Sequence, residues 1–416
     1  MGVQEPIVVI GAGIIGCAVA YALARENRPV WLMDRGEPGV LGASYGNVGH
    51  IACELVEPLP SPHLLFNFWR ELYALDGPLD VPVRRLGSFL SWGRRFAAAA
   101  WRQRENTRYL APLVVPARSV YEKWLTEIGR LDLLRRNGHY EFWLNEKAEA
   151  AARVRAQAVA HLNIRIEPVG TTLTETVRAA ARAPGAAGLW FPDSGHVVDP
   201  LKVMRAFAHA ARSRQAKILP GNVQTLRAAG ESVEILTETE TIRAHTVVVC
   251  AGAWAAPLLE PFGLHAPLEA AHGYHVEISG HAGLVDAPIL YDNERLLVTP
   301  MAGRLRCSTY MEFSGVSSAP DARKPARLRA KVRRLGYDCD ADGPSWRGPR
   351  PVLPDYLPGI GRAPGPARVF YAIGHQHIGL TLAPITGELM ADLVAGRTPR
   401  LDVSAFDLRR FGTSRQ

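Results

Sequence analysis

Residues 6–34 read PIVVIGAGIIGCAVAYALARENRPVWLMD and contain three predicted elements in a fixed order. An apolar run at 7–10 predicts a buried strand, and residues 14–25 predict a helix. A second apolar run at 30–33 predicts another strand, which ends at Asp34. This strand–helix–strand order is typical of the opening of a doubly wound sheet with parallel strands.

The turn between the first strand and the helix reads GAGIIG at residues 11–16 and has the spacing GxGxxG. In this setting Gly11 permits a tight turn, Gly13 lets the backbone approach a pyrophosphate, and Gly16 lets helix and strand pack closely. The positive end of the helix favours phosphate charge, and Asp34 is placed to accept hydrogen bonds from ribose hydroxyls. The segment therefore predicts an adenine dinucleotide, without deciding between NAD and FAD.

The bulk composition is that of an ordinary globular protein large enough for two domains. The chain has 416 residues, 47% of them hydrophobic, and its net charge of 48 − 40 = +8 favours anionic ligands or an anionic surface. No zinc knuckle, aromatic RNA-binding signature or basic tail accompanies that charge, so nucleic acid is not predicted as a partner. Five cysteines without a CxxC pair argue against a disulfide framework and a dithiol reductase, and they favour a reducing, cytoplasmic compartment.

Two further segments could flank a long dinucleotide. Residues 42–50, GASYGNVGH, are small and follow the second strand, so a cofactor could run past them closely. Residues 374–381, GHQHIGLT, precede a predicted helix at 382–394, whose N–H groups could meet the electron-rich N1 and O2 edge of a reduced flavin. By themselves the first could equally be a surface loop and the second a helix cap. His375 and His377 lack a third ligand at a typical spacing, so no metal site is predicted.

The rest of the chain predicts a second domain inserted between pieces of the first. The predicted strands lie near 140–144, 246–249, 275–278, 296–299 and 369–373, and a further helix covers 147–162. The alternating strands of the middle region are typical of a mostly antiparallel sheet, the kind that forms a substrate face.

Several motifs together resemble the D-amino-acid oxidase superfamily. They are GAGIIGCAVAYAL with Asp34, ASYGN at 43–47, VVVCAGAW at 247–254, RGPRPVLPDYLPGIG at 347–361 and GHQHIGLTLAPITGELMADL at 374–393. The likeness spans the chain and is greatest to the bacterial D-amino-acid and D-hydroxyproline dehydrogenases. The glycine motif is shared by many families, whereas the last two segments are more specific.

This resemblance implies an α/β plus α+β fold, in which a Rossmann-like FAD-binding domain is interleaved with a mostly antiparallel substrate domain. The FAD-binding domain is expected at 1–85, 155–260 and 345–416, and the substrate domain at 86–154 and 261–344. The expected cofactor contacts are Gly11, Gly13, Ile14, Ile15, Gly16, Asp34, Arg35, Ala43, Ser44, Asn47, Val48, Gly49, Val223, Ala251, Gly252, Trp254, Gly374, Gln376, His377, Ile378, Gly379, Leu380 and Thr381.

Arg350 stands where the resemblance implies the arginine that grips a substrate carboxylate, and the nearby Arg347 competes for that role. An arginine–carboxylate clamp fixes an amino acid in one orientation, from which chirality follows. The candidates to surround the substrate and recognise a hydroxyl offer donors beside apolar surface. They are His50, Tyr274, Tyr291, Tyr310 and His375.

The expected activity is FAD-dependent oxidation of a small D-amino or D-imino acid, with cis-4-hydroxy-D-proline oxidised to the pyrroline carboxylate as first choice. A broad D-amino-acid dehydrogenase and a glycine- or sarcosine-type oxidase are alternatives. A flavin subunit of a hetero-oligomer and an NAD-dependent dehydrogenase also stay open. The electron acceptor is expected to be a quinone or another carrier, and oligomerisation is left open.

The segment 84–108 interleaves seven arginines with Phe89, Trp92, Phe96 and Trp101. This composition suits peripheral contact with the anionic inner face of a membrane, although a solvated helical face is the simpler interpretation. The apolar run at 7–23 is interrupted by glycines and lacks a basic segment before it, so it predicts neither a signal peptide nor a membrane span.

Overall fold

The structure is a computed structural model that describes residues 5–279, 284–340 and 343–412. Its strands are, in chain order, β1 (Ile7–Ile10), β2 (Val30–Asp34), β3 (His50–Ile51), β4 (Leu79–Asp80), β5 (Leu134–Arg135), β6 (His139–Trp143), β7 (Glu167–Pro168), β8 (Ala187–Phe191), β9 (Gly195–Val197), β10 (Lys217–Pro220), β11 (Val223–Ala229), β12 (Ser232–Thr237), β13 (Thr241–Ala244), β14 (Thr246–Val249), β15 (Glu269–Ser279), β16 (Ile289–Tyr291), β17 (Leu296–Met301), β18 (Arg304–Phe313), β19 (Ser345–Val352), β20 (Gly359–Arg362) and β21 (Arg368–Ile373). Its α-helices are α1 (Ile14–Arg25), α2 (Pro62–Asn67), α3 (Leu86–Ala100), α4 (Gln103–Val114), α5 (Ala117–Glu127), α6 (Ala148–Val159), α7 (Thr171–Ala180), α8 (Pro200–Arg212), α9 (Ala256–Leu259), α10 (Arg323–Arg334) and α11 (Gly379–Ala395).

The first sheet has six strands in the order β10-β2-β1-β14-β21-β20. Its neighbouring strands run parallel except for the antiparallel edge pair β20 and β21. The two central strands are buried along their whole length, which explains why β1 and β14 read as continuous apolar runs rather than alternating ones. The order reverses at β1, and the ligands of such sheets bind beyond the carboxyl ends of the strands at that point.

Each face of the six-stranded sheet is covered by a different layer. Ile7 and Val9 pack with α1, α8 and α11 in one buried cluster. Val8 and Ile10 point the other way and pack against the antiparallel strands β11, β12 and β13. Since successive side chains of a strand point to opposite faces, four consecutive apolar residues can serve both layers.

The second sheet has nine strands, with the path β19-β15-β18-β17-β16-β6-β8-β7 and β4 paired to β18. The pairs β15–β18, β15–β19 and β17–β18 are antiparallel. Helix α10 covers one face through Leu328 and Val332. A further three-stranded sheet has the order β3-β9-β5, and it is distinct from the sheet of β11, β12 and β13. The predicted mixed fold, with one parallel and one mostly antiparallel sheet, is confirmed.

The sheets divide the chain differently from the predicted domain bounds. Strands β4, β7, β8 and β19 belong to the nine-stranded sheet, although the prediction assigned their residues to the FAD-binding domain. Helices α4 and α5 pack in the same buried cluster as α1 and α11, although they were assigned to the substrate domain. Membership depends on long-range pairing, which local composition does not report. Residues 1–4 and 413–416, at the outer ends of the predicted ranges, lie outside the described residues.

Local predictions agree with the elements where the pattern is strong. Strands β1 and β14 and helix α1 have the predicted bounds. The closing helix begins at Gly379, three residues before the predicted start. The helix predicted at 147–162 covers Ala148–Val159. The residual differences lie at element ends, where patterns are weakest.

Candidate active site

A cavity of about 1510 Å³ is lined by residues from both large sheets. It contacts the carboxyl end of β1, the segments after β2 and before α11, and strands β18 and β19. Pockets for single small ligands are typically about 300–1,000 Å³, so this cavity has room for a dinucleotide together with a small substrate. Its position at the reversal of the strand order is where α/β sheets bind nucleotides.

The glycine elbow, residues 11–16, has two positions where a side chain would clash with the protein itself and one that leaves space for a ligand. Gly11 has φ +101°, and a Cβ there would lie 2.5 Å from the carbonyl oxygen of Cys250. A Cβ on Gly16 would lie 1.7 Å from the oxygen of Gly11. A Cβ on Gly13 would meet only the Ser44 hydroxyl, at 3.2 Å. The fold therefore requires glycine at positions 11 and 16, whereas Gly13, which lines the cavity together with Gly11, leaves space for a ligand.

Two predicted cofactor residues also bind the elbow directly. The Ala12 amide donates to Asp34 Oδ2 at 2.6 Å, and the Ile14 amide donates to Ser44 Oγ at 3.1 Å. Both bonds join the segment after β2 to the start of α1, and both acceptors line the cavity. The geometry thus gives Asp34 and Ser44 a share in shaping the turn, in addition to the ligand contacts expected from the sequence.

Most of the predicted cofactor set lines this one cavity. The members in its wall are Gly11, Gly13, Ile14, Ile15, Asp34, Arg35, Ala43, Ser44, Asn47, Val48, Val223, Ala251, Gly252, Trp254, Gly374, Gln376, His377, Ile378, Gly379, Leu380 and Thr381. Gly16 and Gly49 are not among the described residues that line it. Gly16 is covered by the elbow itself, and Gly49, with φ +79°, packs against Val197 and Met301.

The loop before α11 contributes unsatisfied polar groups to the cavity. Gln376 has φ +45° and is buried. Its side-chain atoms Nε2 and Oε1 find no hydrogen-bond partner among the described residues. His375 lies beside it and is hydrogen-bonded through Nε2 to Thr386 Oγ1 at 3.1 Å. Burial lowers the pKa of His375 to about 3, so this ring is neutral. Buried groups without partners are rare in folded proteins and are expected where a ligand binds.

Arg350 is an arginine of the cavity wall without a carboxylate partner in the part of the chain that the structure describes. It lies on β19, and its Nη1 donates to the backbone oxygen of Tyr310 at 2.9 Å. Gly273 on the neighbouring strand makes room for it, since a Cβ there would lie 2.2 Å from the guanidinium carbon. Burial lowers the pKa of Arg350 to about 10, which still leaves it protonated at neutral pH. A half-buried cation of this kind suits an anionic ligand.

Arg347, the competing arginine, is already engaged. Its Nη2 donates to Ser314 Oγ at 2.8 Å and lies 3.3 Å from Glu312 Oε1, while Nη1 donates to the Ser318 backbone oxygen at 2.8 Å. Arg347 does not appear among the described residues of the cavity wall. The two arginines are three residues apart and point to opposite sides of β19, as the pleat of a strand requires.

Two predicted substrate residues lie away from the cavity. The Tyr274 hydroxyl donates to Glu312 at 2.5 Å, and the Tyr291 hydroxyl is 2.8 Å from that of Tyr337. Neither tyrosine belongs to the described lining, so we do not retain them in the substrate site. Tyr310 does line the cavity, and its buried hydroxyl has no partner within the described ranges. Hydroxyl chemistry alone could not distinguish these tyrosines, because each lies on an alternating strand.

His50 lines the cavity and is buried next to Glu54 and His139. Its Nε2 is 3.4 Å from Glu54 Oε1, and its ring centroid is 4.3 Å from that of His139. Burial lowers the pKa of His50 to about 3 and raises the pKa of Glu54 to about 7. The sequence prediction included His50 without its two neighbours, since neither belongs to a motif that was recognised.

An aromatic wall completes the cavity, and sequence reasoning did not place it there. Phe89, Trp92 and Phe96 on α3 line it, together with Phe313 and Trp346. The first three were noted as part of a surface segment, but their spacing of three and four residues is that of a buried helix face. Trp346 packs against Gly46, where a Cβ would lie 2.1 Å from the ring. Its position beside the arginine–proline motif was the signal available in the sequence.

The residues present fit a flavin dinucleotide. Gly13 leaves space at the end of β1 for a pyrophosphate, Asp34 stands at the end of β2 for a ribose, and the cavity continues from there to the loop before α11. Arg35 lies 4.4 Å from the ring centroid of Trp254, and both border the same space. The apolar continuation toward Arg350 gives room for a ring system and an acid beside it.

Comparisons with known proteins agree with this geometry. A family model described as DAO, FAD dependent oxidoreductase, matches residues 6–393. The chain is 30% identical over 422 residues to the D-amino acid dehydrogenase of Paramagnetospirillum magneticum, covering 97% of this chain and 98% of the relative. It is 29% identical to the D-amino-acid oxidase of Bradyrhizobium diazoefficiens, again over 97% of this chain and 98% of the relative.

Solved structures share the fold at lower sequence identity. Glycine oxidase from Geobacillus kaustophilus is similar with a TM-score of 0.76 and 22% identity, covering 98% of this chain and 99% of that one. L-proline dehydrogenase from P. horikoshii is similar with a TM-score of 0.73 and 17% identity, covering 99% and 98%. In the described part of the chain, no helix has both the length and the apolar character needed to cross a bilayer.

Proposed function

Because the chain belongs to the DAO family of FAD-dependent oxidoreductases, we propose that it dehydrogenates a D-amino or D-imino acid, with cis-4-hydroxy-D-proline as the first candidate. The observation that carries this proposal is Arg350, a protonated guanidinium in the cavity wall without a carboxylate partner among the described residues. A substrate carboxylate supplies the missing charge. The D configuration is supported by the relatives, whose names specify D-amino acids.

The chain's own residues orient the substrate and exclude water. Arg350 holds the carboxylate, and two hydrogen bonds from one planar guanidinium fix its direction as well as its position. The aromatic wall of Phe89, Trp92 and Phe96 keeps the surroundings of the reacting carbon apolar. When bound, FAD supplies the acceptor for the two electrons that leave the substrate.

A cyclic, hydroxylated substrate is supported by the unpartnered polar groups of the cavity. Tyr310 Oη and Trp92 Nε1 are buried without hydrogen-bond partners in the described structure, and both residues line the cavity beside apolar surface. A ring with one hydroxyl would pack against the aromatic wall and satisfy such a donor. A site built to hydrogen-bond a hydroxyl discriminates strongly against a substrate that lacks it.

The direct test is anaerobic mixing of the purified flavoprotein with a panel of amino acids, followed by bleaching of the flavin absorbance. The panel contains cis-4-hydroxy-D-proline, D-proline, D-alanine, L-proline, trans-4-hydroxy-L-proline, glycine and sarcosine. We expect the hydroxylated D-imino acid to bleach the flavin fastest and the L-isomers to leave it oxidised. Faster bleaching by D-alanine would make the enzyme a broad D-amino-acid dehydrogenase instead.

Two alternatives have distinct outcomes in the same assay. A glycine- or sarcosine-type oxidase, an alternative supported by the fold similarity to glycine oxidase, would be bleached by those substrates and reoxidised quickly once air is admitted. A flavin subunit that depends on partner chains would show no bleaching with any substrate when isolated. All of these hypotheses about the function share an amino acid substrate and an electron acceptor.

We also propose that the cavity entrance rests on an anionic membrane surface, from which a quinone could collect the electrons. Leu86 and Leu90 on α3 are exposed over 52% and 63% of their surface, and Phe66 and Phe68 nearby over 73% and 52%. Phe68, Leu86 and Leu90 also line the cavity. Apolar side chains around an entrance, next to the arginines of α3, combine hydrophobic and electrostatic attraction to such a surface.

A further inference from the structure

A cluster at the cavity wall consists of His50, Glu54 and His139, of which His50 and Glu54 line the cavity. The three residues are buried, with exposed fractions of 7%, 2% and 1%. His50 begins β3, Glu54 follows that strand, and His139 begins β6 in the nine-stranded sheet. Their ligand atoms all lie within 4.8 Å of one another. Two imidazoles and one carboxylate from separate parts of the chain therefore converge on one point.

The separations within the cluster match a coordination shell. His50 Nε2 lies 3.4 Å from Glu54 Oε1, and His139 Nε2 lies 3.7 Å from the same oxygen. Two ligands at zinc bond lengths of about 2.0–2.1 Å and a tetrahedral angle are roughly 3.3 Å apart. Within the described chain, His50 Nε2 and Glu54 Oε1 find no hydrogen-bond partner. A shared cation would satisfy both buried atoms.

A hydrogen bond from Ser194 holds the Glu54 carboxylate in position. Ser194 Oγ donates to Glu54 Oε2 at 2.5 Å, and the same hydroxyl oxygen accepts from the Cys53 amide at 3.2 Å. One carboxylate oxygen is thereby fixed while the other faces the two histidines. Hydrogen bonds of this kind orient metal ligands and are part of most protein metal sites.

The charges around the cluster also favour a cation. Arg155 pairs with Glu57 at 3.2 Å and with Glu141 at 3.1 Å, so its single positive charge is shared by two carboxylates before Glu54 is counted. The cavity provides an entry path for an ion, since its lining includes Arg155, the three carboxylates and His50. A divalent cation would balance the excess negative charge.

We propose that His50, Glu54 and His139 bind one divalent transition-metal ion of the zinc class, with a fourth ligand position open on the cavity side. The ion joins β3 to β6 and so ties the small three-stranded sheet to the nine-stranded sheet. This inference departs from the sequence-based expectation of no metal, and it does not depend on which amino acid the enzyme oxidises.

The test measures metal directly on the flavin-loaded protein. The holoprotein is stripped with a chelator, equilibrated with Zn²⁺ by dialysis, and analysed for zinc per chain by atomic emission. We expect one tightly bound zinc, with an affinity that falls at least 10-fold in Glu54→Gln and in His139→Asn. His272→Asn, which alters a buried histidine outside the cluster, is the control and should bind zinc like the unaltered chain.

The thermal unfolding temperature gives a second readout. Zinc should raise it in the unaltered chain and in His272→Asn, and should raise it less in Glu54→Gln at the same zinc concentration. Absence of tight zinc binding by the unaltered holoprotein overturns the proposal by itself. Equal affinity in Glu54→Gln and the unaltered chain also overturns it, because the zinc would then be held by other side chains.

Discussion

A guanidinium held in a cavity wall without a carboxylate partner carries a desolvation cost that a bound anion can offset. Arg350 is in this situation, whereas Arg347 is bonded to Glu312, Ser314 and Ser318. The same residue type, three positions apart on one strand, thus serves ligand binding in one case and internal structure in the other. At this scale the partners of a side chain decide its role.

Arg350→Ala should keep its flavin and lose most of its turnover. Removing one partner of a buried, hydrogen-bonded charge pair costs about 2–5 kcal/mol, so kcat/KM should fall by roughly 30- to 5,000-fold. Flavin per chain is read from the absorbance spectrum and kcat/KM from initial rates. Arg227→Ala, at an exposed position on β11, is the control. Turnover close to normal in Arg350→Ala would assign the carboxylate to another residue.

Gly13→Val should fold without binding flavin. A Cβ at this position meets only Ser44 Oγ in the protein, so the branched side chain mainly occupies the space that the pyrophosphate would need. We expect a circular dichroism spectrum like that of the flavin-free unaltered chain, and almost no flavin after purification. Gly170→Val, where a Cβ meets nothing within 4 Å, should keep its flavin. Full occupancy in Gly13→Val would contradict the placement of the pyrophosphate.

At the scale of elements, a buried charge network joins α10 to the nine-stranded sheet. Glu312 on β18 lies 3.0 Å from Lys324 Nζ on α10 and 3.3 Å from Arg347 on β19, and it accepts the Tyr274 hydroxyl from β15. Burial raises the pKa of Glu312, but hydrogen bonds from Ser314, Tyr274 and Lys324 outweigh burial and lower the pKa to about 2. One carboxylate thus holds together four elements of the sheet layer.

This pKa predicts acid-sensitive stability. Because the folded-state pKa of Glu312 lies below its ordinary value of 4.5, its contribution is complete above about pH 4.5 and is lost as the pH falls toward 2. Glu312→Gln should lower the free energy of unfolding by about 3 kcal/mol at pH 7, since it removes the carboxylate that Arg347 contacts and one of those that Lys324 contacts. Urea unfolding between pH 7 and pH 3 should show the difference between the two proteins shrinking with acid.

The control for that series is Glu175→Gln, which removes a surface carboxylate paired with Arg178 three residues along α7. Its unfolding curve should follow that of the unaltered chain at each pH, since exposed ion pairs contribute little. A constant difference between Glu312→Gln and the unaltered chain across the pH range would show that the loss is one of packing rather than of charge.

At the scale of the whole molecule, exposed apolar residues border the cavity. Helix α3 lines the cavity with Phe89, Trp92, Phe96, Leu86 and Leu90, and the two leucines are also exposed over more than half of their surface. An enzyme that passes electrons to a membrane-dissolved quinone needs its cavity close to the bilayer. The arrangement of one helix therefore connects the substrate site to the proposed docking surface.

Flotation with vesicles containing phosphatidylglycerol tests this arrangement. We expect the protein to float with anionic vesicles at low salt and to dissociate at high salt, because the arginines supply an electrostatic part of the attraction. Leu90→Glu should weaken flotation several-fold, while Val154→Glu, at an equally exposed position on α6, should not. Equal flotation of the two variants, or none by the unaltered chain, would contradict membrane docking.

The amino-acid sequence by itself determined the features that depend on consecutive residues. The strand, glycine turn and helix at 7–25 have the predicted bounds, and the motifs at 347–361 and 374–393 led to the family and to Arg350. Such features can be predicted because a periodic apolar pattern or a glycine spacing depends only on residues that are close together in the sequence.

Only the tertiary structure decided which distant side chains meet. It showed that Tyr274 is hydrogen-bonded to Glu312, that the aromatics of α3 line the cavity, and that His50 and His139 converge on Glu54. The same long-range pairing assigned β7 and β8 to the nine-stranded sheet. The physical reason is that the pairing of strands and the burial of a polar group depend on partners far along the chain, and local sequence patterns contain no record of them.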